Sequence, residues 1–241
     1  MAAGGESLQG RSALVTGATR GIGLAVSRRL VEAGARVVMV ARTEGEVTRM
    51  AADLGGLPVP GDVSTAAGAQ DVRRRAEVML GGVPDILVNS AGSFLLAPIA
   101  ETDPEAFLRQ LEVNLAAPFY LIRALLPSFL ERRSGHVVNI GSVAGRVALP
   151  GNGAYGASKF GLRGLHEVLA EEVRGTGVRA TLVEPGATDT PLWDPIDPDR
   201  RDDLPSRSMM LESDDVARAV LYAVTQPEEV EVTLVAIRSA R

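Results

Sequence analysis

Residues 13–23 read ALVTGATRGIG, an apolar run that leads through a glycine-rich turn into a helical pattern. The glycines Gly17, Gly21 and Gly23 have the spacing G-x-x-x-G-x-G, not the usual G-x-G-x-x-G of dinucleotide-binding turns. Glycine lets the backbone approach a pyrophosphate closely, and the free N–H groups of the first helical turn favour an anion. The segment therefore predicts a strand, a turn and a helix that bind a dinucleotide; a glycine-rich turn without a ligand is the alternative.

The remaining chain alternates short apolar runs with longer helical patterns, and no linker or internal repeat divides it. Strands are predicted at residues 13–15, 37–40, 59–63, 86–88, 137–140, 178–183 and 230–237. Helices are predicted at residues 22–33, 44–54, 66–80, 103–130, 154–174 and 213–223. Apolar strands separated by helices indicate a parallel sheet covered on both faces. We therefore predict an α/β fold: a single doubly wound, Rossmann-like domain over residues 1–241, with about seven parallel strands and helices on both faces.

Several local signals refine this prediction. Pro118 and Pro127 are expected to bend or break the helix at 103–130, because proline cannot donate the helical hydrogen bond. Ser213 is expected to cap the last helix. Residues 184–211 form a stretch rich in Pro and Asp that is too long for a passive connection, so we predict a substrate-binding loop or lid there.

Charge and composition exclude several classes of protein. The 25 basic and 30 acidic residues are well mixed and give a net charge of −5, so neither a nucleic acid nor an anionic membrane is an expected partner. Cysteine is absent, and the two histidines are His136, expected in a surface turn, and His166, expected on a helix face, so no metal site is expected. No apolar run approaches the about 20 residues that cross a bilayer. Residues 1–10 lack an apolar signal core, so a cytoplasmic protein is expected.

The residues after the second predicted strand indicate which dinucleotide to expect. Enzymes specific for NAD place an acid there for the ribose 2′-hydroxyl, whereas residues 40–43 read VART, with no acid. Arg42 is placed to meet a 2′-phosphate, and Arg20 in the glycine-rich turn could be a second cation, because guanidinium pairs bidentately with phosphate. We therefore expect NADP(H) rather than NAD(H); two solvated arginines are the alternative.

A tyrosine and a lysine four residues apart carry the predicted chemistry. Tyr155 and Lys159 lie on one face of the helix predicted at 154–174. Reduction of a carbonyl needs a proton donor within hydrogen-bond reach of the oxygen, and a phenol with an ordinary pKa of about 10 becomes usable when a nearby ammonium lowers that pKa. Ser142 follows a predicted strand at its C-terminal end, where ligands bind in parallel sheets. A packed tyrosine, a solvated lysine and a loop-capping serine are the alternatives for each residue taken alone.

The order of these motifs resembles the short-chain dehydrogenase/reductase family over roughly residues 10–237. The motifs are Thr16 to Gly23, Asp62-Val63, Asn89-Ser90-Ala91-Gly92, Asn114, Gly141-Ser142, Tyr155-Gly156-Ala157-Ser158-Lys159 and Pro185-Gly186-Ala187-Thr188-Asp189-Thr190. Ser90 departs from the family's N-N-A-G pattern. Each motif alone is weak, but all of them in this order and at these intervals are highly specific.

The resemblance implies an oxidoreductase that moves a hydride between nicotinamide and a carbonyl or secondary alcohol of a small substrate. It implies Tyr155 as general acid/base, Lys159 on the nicotinamide ribose, Ser142 on the substrate oxygen and Asn114 in a proton relay. The expected cofactor-binding residues are Gly17, Thr19, Arg20, Gly21, Ile22, Gly23, Arg42, Asp62, Val63, Asn89, Ala91, Gly92, Tyr155, Lys159, Pro185, Gly186, Thr188 and Thr190.

Substrate and assembly are less constrained by the residues. The C-terminal part resembles reductases of small hydroxy acids or ketones, and the glycine-rich tail usual in 3-oxoacyl-[acyl carrier protein] reductases is absent. We expect Leu192, Trp193 and residues 93–97 to form walls of the substrate site and the loop's acids to be solvated. The resemblance also implies a homotetramer or homodimer. A non-catalytic dinucleotide-binding or sensing protein, an NAD(H)-preferring enzyme and a 3-oxoacyl-thioester reductase are the alternatives.

Overall fold

The computed structural model describes residues 7–241, so residues 1–6 of the predicted domain and N-terminal segment lie outside it. Seven strands form one sheet in the order β3-β2-β1-β4-β5-β6-β9, and every neighbouring pair is parallel. These strands are β1 (Ser12–Thr16), β2 (Arg36–Ala41), β3 (Leu57–Pro60), β4 (Ile86–Asn89), β5 (Gly135–Ile140), β6 (Val178–Pro185) and β9 (Leu234–Ile237). The predicted parallel sheet of about seven strands is confirmed.

Helices cover both faces of this sheet. They are α1 (Gly21–Glu32), α2 (Glu44–Leu54), α3 (Ala66–Leu80), α4 (Pro104–Leu111), α5 (Ala117–Glu131), α6 (Gly153–Val173) and α7 (Ser213–Val224). One apolar core joins the sheet to α1, α2 and α7, and a second core on the opposite face joins it to α3, α5 and α6. Because β1, β2, β4, β5 and β6 bury nearly every side chain, these strands read as continuous apolar runs rather than alternating ones.

The strand order reverses beside β1, and this reversal positions the site. The chain builds β1, β2 and β3 outward in one direction and then returns so that β4 pairs with the other edge of β1. The connections after β1 and β4 therefore diverge to opposite faces and leave a crevice at the carboxyl ends of these two strands. Ligands of open parallel sheets bind at such a point.

Several predicted boundaries are wrong. Strand β3 ends at Pro60 instead of continuing to Val63, and β9 begins at Leu234 rather than at Val230. The N-cap of α7 is Glu212, whose carboxylate accepts from the backbone of Asp215 in a capping box, so Ser213 is already the first helical residue.

The helix predicted at 103–130 differs more deeply from expectation. Asp103 caps α4, as its sequence suggests, through a bond from the Ala106 N–H. The helix then passes through a π-helical turn at Glu112–Ala116 and continues as α5, which contains Pro127 without a break. A π-turn inserts one extra residue and changes which side chains face inward. The irregularity therefore lies at the turn around Asn114, which ends just before Pro118, and not at Pro127.

Among residues 7–241, one helical stretch, Pro104–Glu131, is long and apolar enough by length and composition to cross a membrane. The sequence had predicted no apolar run of this length. One such stretch is weak evidence for a membrane span, because core helices of soluble proteins share these properties. Of its most apolar window, 44% is buried inside the chain. Its inward face packs against the sheet through Leu121, Leu125 and Phe129.

Both histidines are buried, and the surface turn predicted for His136 is wrong, whereas His166 lies on a helix face as predicted. His136 lies in β5, and its Nε2 donates to Thr181 Oγ1 at 2.8 Å, since that hydroxyl itself donates to Val232. Burial, with Arg179 and Arg11 adding to it, lowers the pKa of His136 to about 3. Burial likewise lowers the pKa of His166 to about 4. Both side chains are therefore neutral members of the core at neutral pH.

We expect the buried His136 to make the fold sensitive to acid. An unfolded histidine takes up a proton near pH 6.5, whereas the folded His136 stays neutral down to about pH 3. Unfolding therefore becomes more favourable as pH falls through this window. Urea titrations at pH 7.5 and pH 5 should show a fall in the free energy of unfolding that is smaller for His136→Gln, which keeps a donor for Thr181. An equal fall in the two proteins would contradict this role.

Candidate active site

The glycine-rich turn brings the chain unusually close to itself. Gly17 has a φ of 65°, in the left-handed region, and a Cβ there would lie 2.9 Å from Cα of Ala91. A Cβ on Gly23 would lie 2.3 Å from the carbonyl oxygen of Gly17. Any side chain would therefore push α1 away from β1 and from the loop after β4. Thr16, the last residue of β1, also contacts the loop after β4, because its Oγ1 accepts from the N–H of Ala91 at 3.0 Å.

A cleft of about 340 Å³ opens over this turn. Its lining includes most of the residues predicted to bind a dinucleotide, namely Gly17, Thr19, Arg20, Gly21, Ile22, Gly23, Arg42, Asp62, Val63, Ala91, Gly92 and Thr190. The N-terminus of α1 faces the cleft with no side-chain cap and no acid in its first turn. Its free N–H groups and positive dipole end suit a pyrophosphate. These residues fit a dinucleotide.

The cleft is lined by side chains of both charges. Within residues 7–241, neither Arg20 nor Arg42 forms an ion pair within 4.0 Å with a carboxylate, and both are exposed. Asp62 lies on the same wall, and a backbone hydrogen bond from Ser64 lowers its pKa, with a smaller contribution from Arg42. Glu46 of α2 also lines the cleft. The two guanidinium groups are therefore available to an anion, with two carboxylates nearby.

Two predicted site residues line neither this cleft nor the neighbouring cavity described below. Asn89 is buried inside the sheet, where its Nδ2 donates to Asn139 Oδ1 at 2.8 Å. Asn114 is buried at the π-turn, where its Oδ1 accepts from the N–H of Ser93 at 2.8 Å. Its Nδ2 is shared among acceptors on Ser93, Gln110 and Ser158. Asn114 thus holds the loop after β4 in place, while Asn89 joins β4 to β5.

Ser142, Tyr155 and Lys159 converge at the carboxyl end of β5. Ser142 lies two residues beyond that strand, and its hydroxyl accepts from the N–H of Ala144 at 3.1 Å. Lys159, buried on α6, donates from Nζ to the carbonyl oxygen of Ile140 at 2.9 Å. The same Nζ lies 5.8 Å from the centroid of the Tyr155 ring. Three of the four predicted catalytic side chains are thus brought together around one strand end.

The electrostatics differ from the prediction that Lys159 lowers the pKa of Tyr155. Burial raises the pKa of Tyr155 above its ordinary value, and a hydrogen bond with Ser142 opposes that rise. Burial also lowers the pKa of Lys159 to about 8, so the ammonium is itself disfavoured there. Lys159 is not among the groups that shift the pKa of Tyr155 in this structure. The phenol therefore holds its proton at neutral pH, which suits a proton donor.

A second cavity of about 680 Å³ adjoins the first and contains these side chains. It is lined by Ser142, Tyr155 and Lys159, and by the predicted cofactor contacts Pro185, Gly186, Thr188 and Thr190. Ile22, Ser90, Gly92, Thr190 and Leu192 line both spaces. The cleft and the cavity are therefore continuous, so a nicotinamide ring and a substrate could meet beside Tyr155.

Three aromatic rings form a contiguous wall of this cavity. Phe94 meets Tyr155 edge-on at a centroid distance of 4.8 Å and meets Trp193 at 5.0 Å. The indole N–H of Trp193 donates to the carbonyl oxygen of Thr188 at 3.1 Å. Such edge contacts add to the burial of the rings and fix their orientation. The walls predicted at residues 93–97 and at Leu192 and Trp193 do line the cavity.

Residues 184–211 are more ordered than a long loop suggests. Glu184 and Pro185 belong to β6, and the short strands β7 (Thr188–Asp189) and β8 (Leu211–Glu212) pair at the base of the loop. Arg207, late in this stretch, forms ion pairs with two acids early in it, Asp189 at 2.5 Å and Asp194 at 2.6 Å. The predicted acids are thus partly engaged with arginines rather than simply solvated.

A family model described as short chain dehydrogenase matches residues 11–201, most of the chain. The chain belongs to the short-chain dehydrogenase/reductase family. An uncharacterized oxidoreductase of Staphylococcus epidermidis is 35% identical over 228 residues, which cover 94% of this chain and 96% of the relative. The resemblance seen in the sequence is confirmed, and the protein is a short-chain dehydrogenase/reductase enzyme.

Solved structures of short-chain dehydrogenases superpose closely on this one. A metagenomic short-chain oxidoreductase in complex with NADP has a TM-score of 0.82 at 32% identity, with 97% of this chain and 99% of that chain covered. The closed form of a serine dehydrogenase complexed with NADP+ has a TM-score of 0.86 at 28% identity, with 94% of each chain covered. The dinucleotide-binding fold is therefore shared along nearly the full length.

In this short-chain dehydrogenase/reductase a buried glutamate, Glu184, supports the loop that carries Ser142. This role was not predicted from the sequence. Glu184 has a side chain that is 1% exposed, and it pairs with Arg146 at 3.1 Å and with Arg163 at 2.7 Å. Arg146 follows Ser142 in the loop, while Arg163 lies one turn beyond Lys159 on α6. An acid inside an apolar strand is the one available sequence signal, because a carboxylate is buried only when it is paired. Glu184 thereby joins the two elements that carry Ser142 and Lys159.

We expect Glu184→Gln to destabilise the protein and to slow turnover. Removal of one charge from a buried pair costs roughly 3–5 kcal/mol, and both arginines here reach solvent, so about 1–3 kcal/mol is expected. Glu167→Gln is the matched control, because Glu167 pairs with the same Arg163 at 2.8 Å on the surface. Thermal unfolding that shows equal, small losses for the two variants would contradict the role given to Glu184.

Proposed function

We propose that this enzyme transfers a hydride between NADP(H) and the carbonyl or secondary alcohol carbon of a small substrate, with Tyr155 as the general acid/base. The observation that carries the proposal is the convergence of Ser142, Tyr155 and Lys159 in a cavity continuous with the glycine-turn cleft. When bound, the dinucleotide supplies or accepts the hydride. The protein supplies position and proton transfer.

Each side chain has a role that follows from its position. Ser142, hydrogen-bonded to Tyr155, holds the substrate oxygen against the phenol. In reduction, the Tyr155 hydroxyl gives its proton to the oxygen while the carbon accepts the hydride; in oxidation, the phenolate takes that proton back. Lys159 is fixed by Ile140 at the floor of the cavity, where it can reach the nicotinamide ribose. Thr188 and Thr190 lie on the wall where the carboxamide would bind.

The preference for NADP(H) over NAD(H) is part of the proposal. Arg20 and Arg42 on the cleft support it, because two guanidinium groups with no ion-pair partner among residues 7–241 can bind a 2′-phosphate. The two neighbours bound to NADP or NADP+ give independent support. Glu46 and Asp62 on the same cleft would oppose a phosphate, so the preference depends on the arginines.

A hydroxy acid is a second candidate substrate. The likeness to a serine dehydrogenase favours it, because serine carries a hydroxyl group next to its charged groups. Such a substrate would need a cation in the cavity for its carboxylate.

We also propose that the chain assembles as a homodimer or homotetramer through the helices α4, α5 and α6. Leu108, Phe119, Phe160 and Val168 on these helices are 43–57% exposed. Large apolar side chains grouped on exposed helix faces are typical of surfaces that a second subunit covers.

We expect Tyr155→Phe to lower kcat by roughly 10²–10⁴-fold in NADPH-coupled carbonyl reduction, because the variant lacks the proton donor. The ring and its contact with Phe94 are kept, so the affinity for NADPH, measured by fluorescence, should not change. Tyr222→Phe is the control, since Tyr222 is an exposed tyrosine on α7. Tight NADPH binding by the wild type with no turnover across a broad carbonyl panel would instead favour a non-catalytic dinucleotide-binding protein.

Arg42→Asp should shift the cofactor preference. We expect the ratio of kcat/KM for NADPH to that for NADH to fall about tenfold or more, because a charged hydrogen bond is lost and a repulsive charge is added. Arg49→Asp makes the same charge change at an exposed position of α2 that does not line the cleft, and it should leave the ratio unchanged. Equal ratios for wild type and Arg42→Asp would refute the assignment.

A further inference from the structure

The wall of the substrate cavity is mostly apolar. Phe94, Leu96, Leu149, Pro150, Leu192 and Trp193 form much of its surface away from the catalytic side chains. Of the residues within 7–241 that line it, three carry charged side chains: Lys159, Arg201 and Asp203. The charge that a substrate meets is therefore set by these three groups.

Both cations of the cavity are already engaged. Lys159 Nζ donates to the Ile140 carbonyl and lies beside Tyr155. Arg201 forms two parallel hydrogen bonds with Asp203, Nε to Oδ1 at 3.0 Å and Nη2 to Oδ2 at 2.7 Å. The pairing raises the pKa of Arg201 and lowers the pKa of Asp203, so both stay charged across neutral pH. Arg201 and Asp203 thus face the cavity as an ion pair without net charge, and Arg201 is not a free cation there.

Two arginines just outside the cavity, Arg146 and Arg207, are engaged as well. Arg146 pairs with the buried Glu184, and Arg207 pairs with Asp189 and Asp194. A substrate carboxylate would have to displace Asp203 from Arg201 or bind the Nη1 side of the same guanidinium, and in either position it would lie close to the negative charge of Asp203. An exposed ion pair is weak, but the repulsion from Asp203 would remain. An uncharged ketone meets neither cost and gains from burial against the aromatic wall.

Resting on the proposed function, we propose that the site selects uncharged, apolar carbonyl compounds and secondary alcohols, and that Asp203 is the specificity residue that withholds Arg201 from substrate carboxylates. This selects the ketone over the hydroxy acid as substrate class. Asp203 acts through Arg201 and takes no part in the transfer of hydride or proton.

Matched substrates test the proposal by activity. Ethyl acetoacetate and acetoacetate share the reacting ketone; the ester lacks the negative charge and carries an ethyl group. We expect the wild type to favour the ester in kcat/KM, and Asp203→Asn to raise the ratio of kcat/KM for acetoacetate to kcat/KM for the ester about tenfold or more. Asp202→Asn is the control, because this exposed neighbour carries the same charge but does not line the cavity.

A binding measurement tests the same proposal without turnover. Calorimetry on the enzyme saturated with NADP+ compares 3-phenylpropanamide with 3-phenylpropanoate, which have nearly the same shape. We expect tighter binding of the amide by the wild type, and a smaller gap for Asp203→Asn but not for Asp202→Asn. A wild type that binds the carboxylate at least as well, or equal effects of the two variants, would overturn the proposal. If no carbonyl compound is reduced, the proposed function fails, and the binding comparison still decides the role of Asp203.

Discussion

The contact between Lys159 and the carbonyl oxygen of Ile140 is the interaction on which the site depends. It places an ammonium group, on a helix, against the last residue of a central strand. Helix α6 approaches that strand end so closely that a Cβ on Gly145 would lie 2.8 Å from the carbonyl oxygen of Lys159. Tyr155, one turn earlier on the same helix, is thereby held over the carboxyl edge of the sheet. A small rotation of α6 would move the phenol and the amine together, so their relation to Ser142 depends on this packing.

A chain of buried polar side chains joins β4, β5 and α6 and so supports the site. Asn89 on β4 donates to Asn139 on β5, and Asn139 donates to His166 on α6. His166 in turn donates to the backbone of Thr233, next to β9, which raises its pKa against the larger effect of burial. Buried polar groups are costly unless they are paired, so this chain of side chains specifies how three strands and α6 fit together. Asn89 serves the site through this framework rather than by lining the cleft.

The two halves of the binding region differ in how their cations are used. At the dinucleotide end, Arg20 and Arg42 have no ion-pair partner in the described part of the chain and can meet an anion. At the substrate end, Arg201 and Arg146 are each joined to a carboxylate. An anionic dinucleotide and an uncharged substrate together match this division, which is the electrostatic basis of the proposed specificity.

The sequence by itself determined the sheet, the glycine turn and the order of the chemical motifs, because these depend on local periodicity and on spacing within single elements. It placed Tyr155 and Lys159 on one helical face for the same reason. The tertiary structure alone decided the π-turn at Asn114, the burial of His136, the raised pKa of Tyr155, and the pairing of Glu184 with Arg146 and Arg163. Burial and pairing are set by atoms far apart in the chain, and no local pattern records which partners the fold will bring together.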